Sequence, residues 1–342
     1  MVGFLETIGA RAPIIQAPMA GAGGPGLAIA AMRGGAVGSL PCALLTPEQL
    51  AAQVAEVRAG AVGPLNLNFF CHHVPDPAPD ESAWRALLAP YYAEEGVAPG
   101  TPPPLRRPFD DALCAAVEAA RPEVVSFHFG LPDDALLARV RAAGALVLGN
   151  ATTRAEMHWL AERGVDAVIA QGSEAGGHAG WFLGDAHAPV PLAELLAEKI
   201  AVPVIAAGGI TDGADIARTL AAGASAVQLG TAFLAADESS ISAPFRVLLG
   251  TGVTTQFTNL FSGREAQGIR NRLMRELGPI RTEVPAFPYG SNALALLRAH
   301  AEADGRGDYS PLWAGTSVAR VRAMGAEALV RRLVEELRAA RR

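Results

Sequence analysis

The stretch Leu146-Val-Leu-Gly-Asn-Ala-Thr-Thr-Arg-Ala-Glu-Met-His-Trp-Leu-Ala-Glu-Arg-Gly-Val-Asp-Ala-Val-Ile-Ala-Gln-Gly172 carries the fold in one copy. An apolar run, Leu146–Ala151, reads as a strand buried on both faces. A helical segment, Thr153–Arg163, follows and stops at Gly164. A second apolar run, Asp166–Gly172, reads as the next parallel strand. The same alternation repeats outward in both directions. Strands are expected at Pro13–Met19, Ala36–Leu40, Pro64–Phe70, Val124–Gly130, Leu146–Ala151, Asp166–Gly172, Val202–Ile210 and Ala226–Leu234. Helices are expected at Thr46–Ala59, Asp110–Ala120, Asp133–Ala143, Thr153–Arg163, Leu192–Ile200 and Ala214–Ala222, several opening on a capping residue or proline and closing on glycine. Eight such strands predict an α/β fold, a closed (β/α)8 TIM barrel, with a doubly wound open sheet as the runner-up.

The barrel is expected over residues 1–249, interrupted at about 71–108 by a proline-rich insertion that includes Pro75–Pro79 and Thr101–Pro104. That stretch is too long for an ordinary connection and reads as a lid or insertion. Residues 250–342 leave the repeat. A strand at Thr255–Phe261, a helix at Arg264–Leu277 and a final helix at Ala326–Ala340 make this a mostly helical cap on the barrel mouth.

Composition narrows the function. The chain has 342 residues, half of them hydrophobic, so a large core is available. A net charge of −6, with no basic stripe interleaved with aromatics, argues against nucleic acid. The cysteines Cys42, Cys71 and Cys114 are too widely spaced for a zinc site or a disulfide framework and fit a reducing cytoplasm. No signal peptide and no membrane span are expected.

In such barrels the working groups sit at the strand C-termini. Those ends carry Ala17–Gly21, Asn66 and Asn68, Ser126 and His128, Gln171, Gly208-Gly209, and Gln228-Leu229-Gly230-Thr231. The loop after the sixth strand, Gln171-Gly-Ser-Glu-Ala-Gly-Gly-His-Ala-Gly180, lets backbone approach a flat ligand and brings one histidine, His178, with it. The paired glycine turns after the seventh and eighth strands suit a phosphate, although small residues in tight turns would also read this way from packing alone. His128 either faces a ligand or is a hydrogen-bonded core group. His72 and His73 read as solvated, and His158, His187 and His300 as incidental. Gly21-Ala-Gly-Gly-Pro-Gly26 has dinucleotide-fingerprint spacing, but the next strand ends Gly38-Ser-Leu-Pro41 without the carboxylate that motif needs. No metal-hydrolase or serine-hydrolase motif occurs.

Ile14–Gly21, Val124–Pro132, Asp166–Gly172, Glu174–His178, Gln228–Thr231 and Pro311-Leu-Trp-Ala-Gly315 together resemble the class I nitronate monooxygenases. The resemblance implies noncovalent FMN at the barrel mouth, its phosphate against Gly209 and Gln228 to Thr231. Pro18, Met19, Asn68, Gln171 and Gly176 would line the rest of the flavin, and His128 the substrate pocket. His178 would act as base or, protonated, steady an anion. The implied reaction turns an alkyl nitronate, or a nitroalkane, and oxygen into a carbonyl compound and nitrite. The sequence departs from the family pattern at Ser173, Ala179 and Thr316. Two other readings stay open here: an NAD(P)H-dependent FMN reductase of enoyl thioesters or quinones, and a flavin-holding protein without turnover.

Overall fold

The computed structural model describes residues 4–101 and 104–342; residues 1–3, and residues 102 and 103 of the proline run, lie outside it. The barrel strands are β1 (Ile14–Gln16), β2 (Gly38–Pro41), β3 (Leu65–Phe70), β4 (Val124–His128), β5 (Leu146–Ala151) and β6 (Ala167–Gln171). A two-residue strand β7 (Gly177–His178) lies in the following loop, and β8 (Val204–Ala207) and β9 (Ala226–Leu229) complete the set. They form one 8-stranded sheet in the order β1-β9-β8-β6-β5-β4-β3-β2. A parallel bridge between Ile15 and Val37 joins its two ends. There Val37 N–H donates to the Ile14 carbonyl and Gln16 N–H to the Val37 carbonyl, both at 2.9 Å. The sheet is therefore a closed parallel barrel.

Around it run α1 (Pro25–Gly34), α2 (Pro47–Gly60), α4 (Asp111–Ala120), α5 (Asp134–Ala142), α6 (Arg154–Glu162), α7 (Leu192–Leu196) and α8 (Gly213–Ala221), while α3 (Ser82–Glu95) belongs to the insertion. Their starts are chemically fixed. Thr46 and Thr153 form capping boxes with Gln49 and Glu156. Asp110, Asp133 and Asp212 each accept an N–H from the first turn. Helix α1, unexpected from the sequence, begins inside the glycine run that only imitates a nucleotide fingerprint.

The remaining elements are α9 (Thr231–Leu234), α10 (Ala243–Arg246), β10 (Thr255–Thr258), β11 (Ala266–Ile269), α11 (Arg272–Leu277), α12 (Ala295–Ala303) and α13 (Ala326–Ala340). Three expectations are corrected here. The eighth strand stops at Leu229 and its apolar run continues as α9, because a short buried run carries no period that separates strand from helix. The helix expected at Leu192–Ile200 ends at Leu196. The helix expected at Arg264–Leu277 is instead a strand, β11, antiparallel to both β10 and β7. Helix α11 starts only after Asn271, whose side chain accepts the Met274 N–H.

The C-terminal region divides in two. Its β10–α12 part packs beside the mouth. Helix α13 returns to the barrel wall and lies between α1 and α8, in the place of an eighth barrel helix. Leu329, Val330, Leu333 and Leu337 are buried there in the main core. Glycines permit the approach: a Cβ on Gly34 would stand 2.6 Å from Val330 Cβ, and one on Gly213 would stand 2.3 Å from Leu337 N.

The proline-rich insertion is fastened to the cap. Trp84, Leu88, Tyr91 and Tyr92 of α3 form a second core with Leu260, Phe261, Leu297 and Tyr309. Tyr92 Oη donates to the Ala293 carbonyl at 2.7 Å. Arg272 pairs with Glu94 at 2.7 Å and Arg306 with Glu95 at 2.6 Å. Among the described residues, no helix is long and apolar enough to cross a membrane.

Helix α13 is thus integral to the barrel. Leu333→Ala, at a fully buried position, should cost about 2–5 kcal/mol of stability, read from the urea midpoint. A loss below about 1 kcal/mol would mean that α13 lies loosely on the surface.

Candidate active site

Side chains alternate strictly along the barrel strands, and that alternation builds the site in layers. Leu65, Leu67, Phe69, Val125, Phe127, Val147, Val168, Ala206 and Val227 face the helices. The inward set begins with an apolar floor of Ile15, Val37, Val124, Leu148, Ala167 and Ile205, which Leu5 of the N-terminal turn covers from below. Above the floor the inward positions turn polar: Ser39, Asn66, Asn68, Ser126 and Asn150 are buried. Most of their polar atoms are paired, although Asn66 Oδ1 is buried without a partner. Gln16 Oε1 accepts from Ser39 N–H at 2.9 Å, Asn66 Nδ2 donates to Ser39 Oγ at 3.1 Å, and Asn68 Nδ2 donates to Ser126 Oγ at 3.0 Å.

Above this ring lies a cavity of about 280 Å³. Pro18, Met19, Asn68, His128, Gln171, Gly176, His178, Gly209, Gln228, Leu229, Gly230 and Thr231 all line it. Leu229 sends its side chain into the outer core, so only its backbone serves the cavity. Gln171 works on the loop itself. Its Oε1 accepts from Asn150 Nδ2 and from Gly180 N–H, both at 2.9 Å, and its Nε2 donates to the His178 carbonyl at 2.8 Å.

The loop after β6 is pinned by the chain segment 314–316. A Cβ on Gly176 would stand 2.4 Å from the Ala314 carbonyl carbon, and one on Gly315 would stand 2.3 Å from the Glu174 oxygen. Thr316 N–H donates to the Glu174 carbonyl at 3.0 Å, and Gly315 N–H to Thr231 Oγ1 at 2.9 Å. Strand β7 pairs with β11, with His178 opposite Ala266.

This fixes the His178 ring. Its Nε2 lies 2.9 Å from Ser262 Oγ, and Ser262 Oγ donates to the Arg264 carbonyl at 3.1 Å. With the single hydroxyl proton directed to that carbonyl, Nε2–H is the donor to Ser262 and Nδ1 keeps its lone pair. The rings of Phe287 and Trp313 stand 5.4 and 5.5 Å from the imidazole.

Three histidines gather here, and all are held neutral. Burial pushes His178 well below its ordinary range, and the charges of Arg106 and Arg264 push the same way. Burial, then Arg264, lowers His128 to about 3, partly offset by a hydrogen bond to the His178 backbone. Burial lowers His72 to about 4; a hydrogen bond to the Arg106 carbonyl opposes this, and Arg264, Arg106 and His73 add to it. Of the two roles expected for His178, its neutral resting form is the one a base requires. His72, expected to be solvated, is buried and 3.2 Å from the Arg106 carbonyl. His187 is also more than incidental, its ring buried against Glu265 at 3.2 Å.

Two glycine turns and an unpaired amide line the same cavity. Gly208 and Gly209 have φ of +121° and +72°, a conformation that side chains rarely take. Gln228 Oε1 is buried without a hydrogen-bond partner, as an atom meant for a ligand would be. Among the described residues, no group of three His, Cys, Asp or Glu side chains could hold a metal ion.

Sequence reasoning missed several lining or supporting groups: Phe70, Arg106, Asn150, Ser262, Arg264 and Trp313. Asn150 was within reach, because it shares the inward register of Leu148. Arg106 and Arg264 lie outside regular elements, where no period marks them.

The neutral histidines give stability a sign with pH. Unfolded, each takes a proton near 6.5; folded, His72 and His128 wait until about 4 and about 3. Below pH 6.5 the unfolded chain thus binds more protons, and stability present above that pH is lost as it falls. The urea midpoint should decline from about pH 6.5 toward pH 5, before most carboxylates titrate, and His128→Asn should flatten the slope. A midpoint unchanged over that window would contradict the neutral cluster.

Comparison with known proteins agrees with this geometry. The family model described as nitronate monooxygenase matches residues 4–337. A nitronate monooxygenase of Paraburkholderia phytofirmans is 40% identical, covering 98% of this chain and 94% of that protein. One from Pseudomonas aeruginosa is also 40% identical, covering 98% and 99%. The crystal structure of nitroalkane oxidase from Streptomyces ansochromogenes superposes with a TM-score of 0.90 at 38% identity, covering 99% of each chain. With the barrel, the pinned glycine loop and these likenesses in place, the chain belongs to the nitronate monooxygenase family of oxidoreductases.

Proposed function

We propose that this chain uses FMN to oxidise alkyl nitronates, and nitroalkanes once a proton is removed, with oxygen to a carbonyl compound and nitrite. One observation carries the reading. A half-buried, neutral histidine, held through Nε2 by Ser262, lines the same cavity as the glycine turns at Gly208-Gly209 and Gln228 to Thr231. The names of the relatives point the same way.

The glycine turns at Gly208-Gly209 and Gln228 to Thr231 would hold the FMN phosphate through backbone N–H groups. Pro18, Met19, Asn68, Gly176 and Gln228 would meet the rest of the cofactor. Bound there, FMN supplies the electron transfer and the oxygen chemistry. The chain supplies position and one proton transfer. His178 Nδ1 takes the proton from the carbon beside the nitro group of a neutral substrate, while Nε2–H stays on Ser262. Phe70, Phe129, Phe287 and Trp313 exclude water around the imidazole and leave apolar surface for an alkyl chain. His128, buried beside His178, shapes the pocket as a neutral group. The free thiols of Cys42, Cys71 and Cys114 fit the cytoplasm as the place of action.

Cofactor released by heat should run as FMN on chromatography; FAD, or no flavin after reconstitution, would contradict the assignment. His178→Ala should keep FMN and lose roughly 10²–10⁴-fold in turnover of neutral nitroalkanes, with a smaller loss on preformed nitronates. Parental rates on both would remove His178 from the reaction.

A further inference from the structure

We infer that Arg106 is the specificity residue of this site, the cation that binds the oxygens of the nitronate and favours the anion over the neutral nitroalkane. The inference rests on the proposed nitronate oxidation and names the group that recognises its substrate.

Two arginines line the cavity, Arg106 and Arg298. Arg298 is committed: its Nε donates to Glu302 at 2.9 Å, and Glu302 is further held by Ser310 Oγ at 2.6 Å. Arg106 is not. Among the described residues its guanidinium makes no ion pair and no hydrogen bond, and its Nε is buried without a partner. Nearby Arg264 also has an unpaired Nε, but its guanidinium donates to the Trp181 carbonyl and lies over the Phe129 and Trp181 rings. Arg106 thus has its donors free. A half-buried cation without a partner is costly to a fold, and the cost is offset when an anion arrives.

Its placement fits that anion. The guanidinium carbon is 5.8 Å from the Phe287 ring centre, and the Phe287 ring is 5.4 Å from that of His178. One aromatic surface therefore carries both the base and the cation. The main chain of Arg106 is fixed in advance, since its carbonyl accepts from His72 Nε2 at 3.2 Å. The next residue is fixed too, with Arg107 N–H donating to the Ala43 carbonyl at 3.3 Å. A planar fork of N–H donors matches two coplanar oxygens on one atom, as in a carboxylate or a nitronate. The delivering segment is the proline-rich insertion, which α3 ties to the cap. The insertion acquires a purpose beyond covering the mouth: it carries the anion-binding group to the base.

The test compares Arg106→Met, which keeps an unbranched stem against Phe287, and Arg106→Lys with the parent, all loaded equally with FMN. KM and kcat are measured for a nitronate and for its conjugate nitroalkane. Nitronate binding is also followed anaerobically by calorimetry. Arg106→Met should raise nitronate KM and Kd roughly tenfold to a hundredfold, the loss of a charged hydrogen bond, with kcat changed far less. KM for the neutral nitroalkane should hardly move, and Arg106→Lys should recover part of the nitronate affinity. Equal rises for both substrates would mean that Arg106 only packs, and an unchanged nitronate KM and Kd would overturn the assignment. A parent that binds nitronate through Arg106 without turning it over would leave the recognition standing and refute the functional reading alone.

Discussion

The site depends on one contact between two stretches of backbone. The loop after β6 and the segment 314–316 pass so closely that neither Gly176 nor Gly315 has room for a Cβ. Sequence distance makes this contact costly to close, and the hydrogen bonds from Thr316 to Glu174 and from Gly315 to Thr231 hold it. Everything functional is referred to it. It sets β7 against β11, which places His178 beside Ser262. It draws Trp313 to the histidine ring. It also makes the cap one wall of the cavity rather than a separate appendage.

Electrostatics then divides the chemistry between two groups. Burial, with Arg106 and Arg264, keeps His178 neutral at rest, the form that the proposed proton transfer requires. Burial brings Arg264 down to about 10, still charged at neutral pH. Positive charge near an unprotonated ring nitrogen weakens the base, yet it would favour formation of the anion that proton removal creates. In the proposed reaction the proton acceptor and the anion-stabilising charge would come from different residues, His178 and Arg106, both beside Phe287. The three neutral histidines are paid for in acid stability.

Much of this was legible in the sequence, for identifiable reasons. Apolar runs separated by capped helices specify a parallel barrel, and the strand C-termini of that barrel specify which residues meet. His178, Gly209 and Gln228 to Thr231 follow from that rule alone. Local pattern failed where tertiary contacts decide. The run Ala226–Leu234 splits into strand and helix without any change in hydrophobicity. Ala266–Ile269 is a strand because β7 and β10 flank it, not because its residues prefer one. Arg106 sits in a proline-rich segment whose composition says only that it is irregular. His72 adjoins His73 in sequence, yet one is buried and the other exposed.

The central claim is that the cavity brings a nitronate to FMN beside a neutral His178, with no nicotinamide needed. The most direct measurement is the visible spectrum of the FMN-loaded protein, titrated without oxygen by an alkyl nitronate and, separately, by NADH. The account predicts that the nitronate bleaches the flavin and NADH does not, with nitrite appearing once oxygen is admitted. Bleaching by NADH and indifference to the nitronate would contradict it.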